Sequence, residues 1–413
     1  MNNKDASFLT FTNANEYQHQ VVKNNNKMYN FPINQNMNSH ARLKHIKVKP
    51  ENTPPSQLFV NTSEIDFEIK KQNCGFLFDK FNLVFNIKNN HASNVATICN
   101  APHLIQSIEI LKGANSIGTP IQSHAIWLNN ILENGNADTH LLNDFSLWNA
   151  NINQLYTIGP QIKKNVIIDL PLPFKNTLVL RDLINYDITI RIKFRSSNIV
   201  DNAAVSNSYL LVDDLHIVMS GYELPNHDVF SIRKELASTK ILDYRCSILD
   251  YQKYDLGVGG VSIGDSFNIR LTNINSFVSG IFFWLNHTIE YFGGHNKHYK
   301  MDTIELINSS ETNINNFTFG HDFVKYYNSK YLFKNNLLEW YNIYNISFST
   351  DPKNTINFGD VKGLQNLKNN EDYNLKFKAG ETVASQLSLN VVYIRPAYIR
   401  ITSEDKSYEI LKA

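Results

Sequence analysis

Residues 64–70 read Glu-Ile-Asp-Phe-Glu-Ile-Lys, an unbroken alternation of apolar and charged side chains. Successive side chains of a β-strand point to opposite faces, so this stretch is a strand with one buried face and one wet face. The same period of two recurs outward along the chain. Phe81, Leu83, Phe85 and Ile87 share a face, with Asn82, Asn86 and Lys88 opposite. Ile188, Ile190, Ile192 and Phe194 alternate with Thr189, Arg191 and Lys193, and Phe267, Ile269 and Leu271 with Asn268, Arg270 and Thr272. Tyr373, Leu375 and Phe377 follow the rule, and Leu387, Leu389, Val391 and Tyr393 close the series. Strands that are wet on one side belong to antiparallel sheets, because parallel sheets are covered on both faces and read as continuous apolar runs. The Asn-rich connectors at 89–90, 134–136 and 369–370 suit the turns between them.

Helical spacing is scarce. The clearest candidate is Ile121–Leu132, where Ile121, Ala125, Leu128, Ile131 and Leu132 form a stripe and Pro120 sits at the expected start. A weaker one runs from His321 to Lys330, with Phe323, Val324, Tyr327 and Tyr331 as its stripe. Each is followed by three strand-like segments: 165–170, 186–194 and 209–219 after the first, 344–349, 373–378 and 387–394 after the second. The order of elements repeats while residue identity does not. The expectation is an all-β chain of two consecutive sandwiches: an arm over 1–50, a first sandwich over 51–224, a linker at 225–237, a second sandwich over 238–402 and a tail over 403–413. Each unit is long enough for its own core.

Composition narrows the function. The 413 residues carry 39 Lys+Arg against 38 Asp+Glu, which excludes the strong basic excess of a dedicated duplex-DNA binder. The charge is uneven: residues 1–50 hold seven basic and two acidic side chains and end in ARLKHIKVKP, so they read as a polar, basic arm ahead of a slightly acidic body. Asparagine is about 14% of the chain, well above average usage, and falls largely in turns, loops and wet strand faces. Cys74, Cys99 and Cys246 are too few and too scattered for a disulfide scaffold or a zinc site, which points to a reducing compartment. The N-terminus lacks a signal-peptide core, and the strongest apolar run, 277–285, is about half of the ~20 residues a membrane span needs. The expected product is soluble and made in a cytosol.

No constellation argues for catalysis, a cofactor or a metal. GVGGVSIG at 257–264 lacks the Lys-Ser/Thr of a phosphate loop and leads into a strand, so it reads as an inter-strand loop. His295 and His298 form an i,i+3 pair whose only acidic neighbour is Asp302, short of a ligand set, and read as a polar loop. Glu64, Asp66 and Glu68 share a strand face that would attract a cation, but charge on a wet sheet face is the plainer cause. Asp213 and Asp214, being adjacent in a strand, point apart and do not make a carboxylate pair. Sequons such as those at Asn286 and Asn308 arise by chance in an Asn-rich chain. There is no nucleophile elbow and no Cys-His signature.

The segment ICNAPHLIQSIEILKGANSIGTPIQSHAIWLNNILENG (98–135) resembles one in double jelly-roll major capsid proteins of the adenovirus and tailless membrane-containing phage lineage. There a strand of the type V/I-E/D-V/I-x-L-N-G, here Ile108-Glu109-Ile110-Leu111-Lys112-Gly113, leads into an amphipathic helix, here carrying Trp127, Leu128, Ile131 and Leu132. LPLPFKNTLVLRDLINYDITIRIKF (170–194) and SYLLVDDLHIVMSGYEL (208–224) are similar to the blocks that end the family's first jelly roll. Residues 238–300 resemble the next block, and NISFSTDPKNTINFGDVKGLQNLKNN (345–370) a late one, with Thr355–Gly359 in place of the family's Ser/Gly-rich part. The resemblance implies two eight-stranded jelly rolls per chain, homotrimers shaped as pseudo-hexagonal capsomers, and an icosahedral DNA virus shell assembled in the host cytoplasm or nucleus. It also implies contacts with neighbouring capsomers and minor capsid or penton proteins, and with an internal membrane or the genome through the N-terminal arm. The outward loops expected are 134–165 and 285–320. Two rivals stand beside it: a β-sandwich carbohydrate-binding or adhesin module using Trp284, Trp340, Tyr291 and Tyr299, and a double jelly-roll scaffold shed during assembly.

Overall fold

The alternation at 64–70 becomes a strand in which Ile65, Phe67 and Ile69 are buried and the intervening positions are not. The same translation holds for 81–88, 188–194, 267–271 and 373–377, whereas 387–393, expected to have one wet face, is buried at every position in the computed structural model of the chain. It describes residues 42–70, 75–134, 147, 156–174, 179–180, 187–197, 199–200, 205–224, 226–257, 259–272, 277–287, 298–308, 320–323, 342–348, 365–367, 372–403 and 408–412. The first half carries β1 (Arg42–Val48), β2 (Glu64–Ile69), β3 (Gly75–Asn89), β4 (Ala96–Ile98), β5 (Ile105–Lys112), β6 (Asn115–Ser116) and β7 (Ile121–Gln122). Helix α1 (Ser123–Asn134), β8 (Tyr156–Ile158), β9 (Lys163–Asp169), β10 (Val179–Leu180), β11 (Ile188–Phe194) and β12 (Leu210–Leu224) complete it. Helix α2 (Asn226–Thr239) leads into β13 (Ile241–Asp255), β14 (Ser266–Leu271), β15 (Phe277–Val278), β16 (Gly280–His287) and β17 (Met301–Ile307). The chain ends through β18 (Tyr344–Ser347), β19 (Gln365–Asn366), β20 (Tyr373–Ala379), β21 (Leu387–Thr402) and β22 (Tyr408–Lys412).

Strand order defines the topology. In the first half, one sheet runs β1-β12-β3, with β9 and β10 sharing the far edge of β3, and the other runs β2-β11-β5, with β6 and β7 on β5. Numbering β1, β2, β3, β5, β7, β9, β11 and β12 as one to eight gives sheets 1-8-3-6 and 2-7-4-5, the two interlocked Greek keys of a jelly roll. In the second half the sheets are β13-β21-β16-β18 and β14-β20-β17, which is 1-8-3-6 and 2-7-4. Its fifth strand has no counterpart among the described residues. Every ladder between these principal strands is antiparallel.

Each jelly roll closes over its own apolar layer. Phe85 of β3 meets Phe194 of β11 edge-on at 6.4 Å across the first sandwich. In the second, Phe283 of β16 stacks on Tyr344 of β18 at 5.8 Å and Phe267 on Phe377 at 5.2 Å. Each fully buried side chain among these contributes about 1.5–3 kcal/mol of transfer free energy, and the half-buried Phe267 less. Strands β3, β12 and β13 have 15 residues and β21 has 16. At ~3.3 Å per residue these make sandwiches about 50 Å tall.

Three elements differ from the sequence reading. The basic stretch assigned to the arm is β1, the first strand of the first jelly roll, whose Ile46 and Val48 pack on the core; Lys44 on that same face and the exposed Leu43 on the other hid the alternation. Ile121 and Gln122 extend as β7 against β5, so helix α1 starts at Ser123, three residues after Pro120. The stretch read as a linker is helical, α2, because Arg233–Ala237 are good helix formers and Val229 and Leu236, two turns apart, bury one face. Of the second expected helix, only residues 321–323 are described, and they are helical.

Candidate functional site

The candidate chemistry resolves position by position into structure. Loop 257–264 joins β13 to β14 and meets the β20–β21 loop through the Val261–Val383 bridge. Gly257, Gly259 and Gly264 adopt positive φ, which fixes a looped backbone. The Asp265 carboxylate accepts from the Ser262 amide at 2.7 Å, and the Thr382 hydroxyl from the Ile263 amide at 3.1 Å. The loop borders an open hollow of about 250 Å³. Strand β14 follows it, so no helix N-terminus faces the hollow.

Glu64, Asp66 and Glu68 stand on the wet face of β2, where cross-strand register with β11 neutralises the first two and Lys70, just after β2, the third. Arg191 donates twice to Asp66, from Nε at 2.8 Å and from its terminal nitrogen at 2.9 Å. Lys193 lies 3.2 Å from Glu64, and Lys70 3.4 Å from Glu68. The hydrogen bonds to Asp66 raise the Arg191 pKa. Asp213 and Asp214 sit at a bulge in β12 and take separate partners, Lys163 and Lys47, each at 2.8 Å. Burial alone would raise Asp213, but hydrogen bonds from Lys163 and Asn86 hold it below the usual carboxylate range, and Lys47 does the same for Asp214. Asp302 accepts from the backbone amides of Thr303 (2.9 Å) and His321 (3.2 Å). Among the described residues no group of three or more His, Cys, Asp and Glu is placed to hold a metal ion.

Of the carbohydrate-facing aromatics, Trp284 is 1% exposed and Tyr299 is 7% exposed with its hydroxyl 2.6 Å from His287 Nε2. Trp340, Tyr291, His295 and Cys74 lie outside the described residues. Cys99 and Cys246 are buried free thiols, and burial pushes Cys99 up to about 12. The Asn286 side chain accepts from Asn390 at 2.7 Å, and Asn308 follows β17.

What the side chains build is a seam between the two jelly rolls. The apolar core of the first continues into β13, β16 and β21 of the second through Leu249, Phe282, Trp284, Val392 and Ile394. Their neighbours Ile281, Phe283, Leu285, Val391 and Tyr393 turn into the second core. Residues 280–285 and 387–397 are therefore buried on both faces. Helix α1 fills the gap: Ser123 through Leu132 are all buried. Trp127 meets Trp284 at 5.2 Å. Asn130 ties the helix to β9, donating to the Asp169 carbonyl at 2.8 Å and accepting from its amide at 2.9 Å. His298, read in sequence as part of a polar loop, is 6% exposed and lies 5.0 Å from Trp127 and 5.8 Å from Trp284. Burial lowers its pKa to about 3 and lowers that of His103 in the same seam. The seam had one sequence signal, the continuous run 277–285, which marks a strand covered on both sides.

No family model matches this chain, and no curated protein matches it. Solved structures do. The chain is similar to VP54 of the virus PBCV-1, as fitted into a reconstruction of the virophage Sputnik, with TM-score 0.68 and 13% identity over 93% of this chain and 99% of that one. The chain has a double jelly-roll fold. A second neighbour, the Faustovirus major capsid protein, shares this double jelly roll at TM-score 0.58 and 10% identity over 88% of this chain and 92% of that one. A chain of the Sputnik virophage follows at TM-score 0.55 and 7% identity, covering 90% of this chain and 88% of that one. The match covers 88% or more of both partners in each comparison.

Proposed function

We propose that this chain is the major capsid protein of a tailless icosahedral DNA virus, a structural and non-catalytic component of the virion. Three copies would close into a pseudo-hexagonal capsomer. The observation that carries this reading is the repeated 1-8-3-6 strand order along a chain that spans 93% of its length, and 99% of the partner's, in the match to PBCV-1 VP54. Two similar towers per chain give six around a three-fold axis, which supplies closed symmetry from one protein. Rigid sandwiches with charge-paired wet faces suit a shell better than a solution enzyme.

The division we propose is an arm ending before Arg42, a first jelly roll to Leu224, a link at 225–237 within which α2 starts, and a second jelly roll over 238–402. The 403–413 tail adds β22 to its sheet. Residues 1–41 carry only Lys4, Lys23 and Lys27 against Asp5 and Glu16, the rest of the basic stretch lying in or directly after β1. It is therefore the arm's polar composition, not a basic charge, that supports contact with an internal membrane, the genome, minor capsid proteins or neighbouring capsomers. Deleting residues 1–40, which spares β1, leaves trimers intact and impairs shell formation. Normal particles from the truncated protein would contradict the arm's role. Detection of the chain in purified mature virions separates a capsid protein from a scaffold that is shed.

A further inference from the structure

Three imidazoles meet in the seam between the jelly rolls: His103, His124 and His298, all buried. They come from both sides of it. His103 lies in the turn Ala101–Leu104 and His124 in α1, both in the first roll, while His298 precedes β17 in the second. His103 and His124 lie 5.7 Å apart, His103 stacks on Trp127 at 5.7 Å, and His124 packs on Tyr251 of β13 at 4.8 Å and Trp284 at 5.9 Å. His298 sits between Trp127 and Trp284. We infer that this cluster is an acid-sensitive latch, holding the two jelly rolls together while His103 and His298 are neutral and releasing the seam when they take up protons.

Flat apolar rings would fill this space equally well; what imidazole adds is a charge that appears between pH 5 and 8 in the free side chain. The described groups around the cluster are two arginines, one of them paired with a carboxylate, and neutral hydrogen-bonding groups. Arg195, after β11, donates from Nε to the His103 carbonyl at 3.2 Å, and its positive charge disfavours a proton on the His103 ring, as would a proton on either neighbouring imidazole. Ser123 Oγ lies 3.2 Å from His103 Nδ1. From the second roll, the Tyr251 hydroxyl donates to Asn390 at 2.7 Å, Asn342 donates to the His298 carbonyl at 2.6 Å, and Asp250 beside Tyr251 pairs with Arg395 at 3.2 Å.

The sign of the linkage follows. Burial depresses His298 to about 3 and His103 well below its ordinary 6.5, so both are neutral in the closed seam and protonated at ordinary values once exposed. Their contribution to closure is fully present above pH 6.5 and declines as pH falls below it toward the closed-state values. Each exposed imidazole raises the opening equilibrium by up to about 10-fold per pH unit, and two acting together by about 100-fold. The inference rests on the fold alone and stands or falls independently of the capsid reading.

The test is hydrogen–deuterium exchange of the full chain across about pH 7.5 to 4.5, corrected for the intrinsic pH dependence of exchange. The expected result is loss of protection confined first to α1 and β16, with a slope approaching about 100-fold per pH unit in wild type and about 10-fold in His298→Phe or His103→Phe. Constant protection in wild type, or equal slopes in wild type and variants, overturns the inference. If the phenylalanine variants do not fold, imidazole titration of the wild-type chain by NMR decides. Values near 6.5 for His103 and His298 contradict the latch, and strongly depressed values with a steep exchange slope support it.

Discussion

The two jelly rolls contain the same sheet twice, β1-β12-β3-β9 in the first and β13-β21-β16-β18 in the second, and they use its outer face in opposite ways. In the first roll β3 alternates from Phe81 to Asn89 between buried and half-exposed positions, with Asn82, Val84, Asn86 and Lys88 facing out. In the second roll the matching strand, β16, is buried on both sides from Gly280 to Leu285, and β21 from Leu387 to Ala397. Topology is identical; what differs is that α1 and the first roll lie against the second roll's sheet. An antiparallel strand therefore reads as a continuous apolar run when a neighbouring unit covers its outer face, a pattern otherwise expected of parallel sheets.

The largest consequence is an unequal response to truncation. Trp284→Ala removes the ring at the centre of the seam and is expected to cost about 3–5 kcal/mol in urea unfolding. Val84→Ala, at the equivalent strand of the wet sheet, is expected to cost less than about 1.5 kcal/mol. Equal costs would break the contrast between the two faces. Asn130→Ala comes next, because it leaves the half-buried Asp169 backbone groups unmatched where α1 crosses β9. A loss of about 1–3 kcal/mol is expected.

How much of this was written in the sequence depends on which face is considered. Wet faces were legible: Glu64–Lys70, Ile188–Phe194 and Tyr373–Phe377 appear as strands with the expected buried positions. The cross-strand partners were not, because sequence does not reveal that Asp66 stands opposite Arg191. The helix at α1 was legible as a stripe, but its burial on every side was not, since His124 looks solvent-facing until Tyr251 and Trp284 of the second roll cover it, and Asn130 until its bonds to β9 are known. The same cover turned His298 from a loop residue into a core one. Strand β1 was missed for the converse reason: its lysines, typical of a sheet edge, resemble those of a disordered arm.

Smaller effects sharpen the comparison from the wet side. Arg191→Ala should cost no more than about 1 kcal/mol, fading in molar salt, because the pair with Asp66 is partly exposed. Asp213 and Asp214 have depressed folded-state values, so their contribution is present above the unfolded value of 3.8 and is lost as pH falls through the folded one. Replacing both by Asn should therefore flatten the acid limb of stability only below about pH 4 and leave the seam's response near pH 6 unchanged.

The central claim, that this double jelly roll is built to close into a three-fold capsomer, is tested most directly by electron-microscopy projections of the purified full-length chain. The account predicts particles of three chains with a hexagonal outline. A monodisperse monomer, or an oligomer without three-fold symmetry, would contradict it.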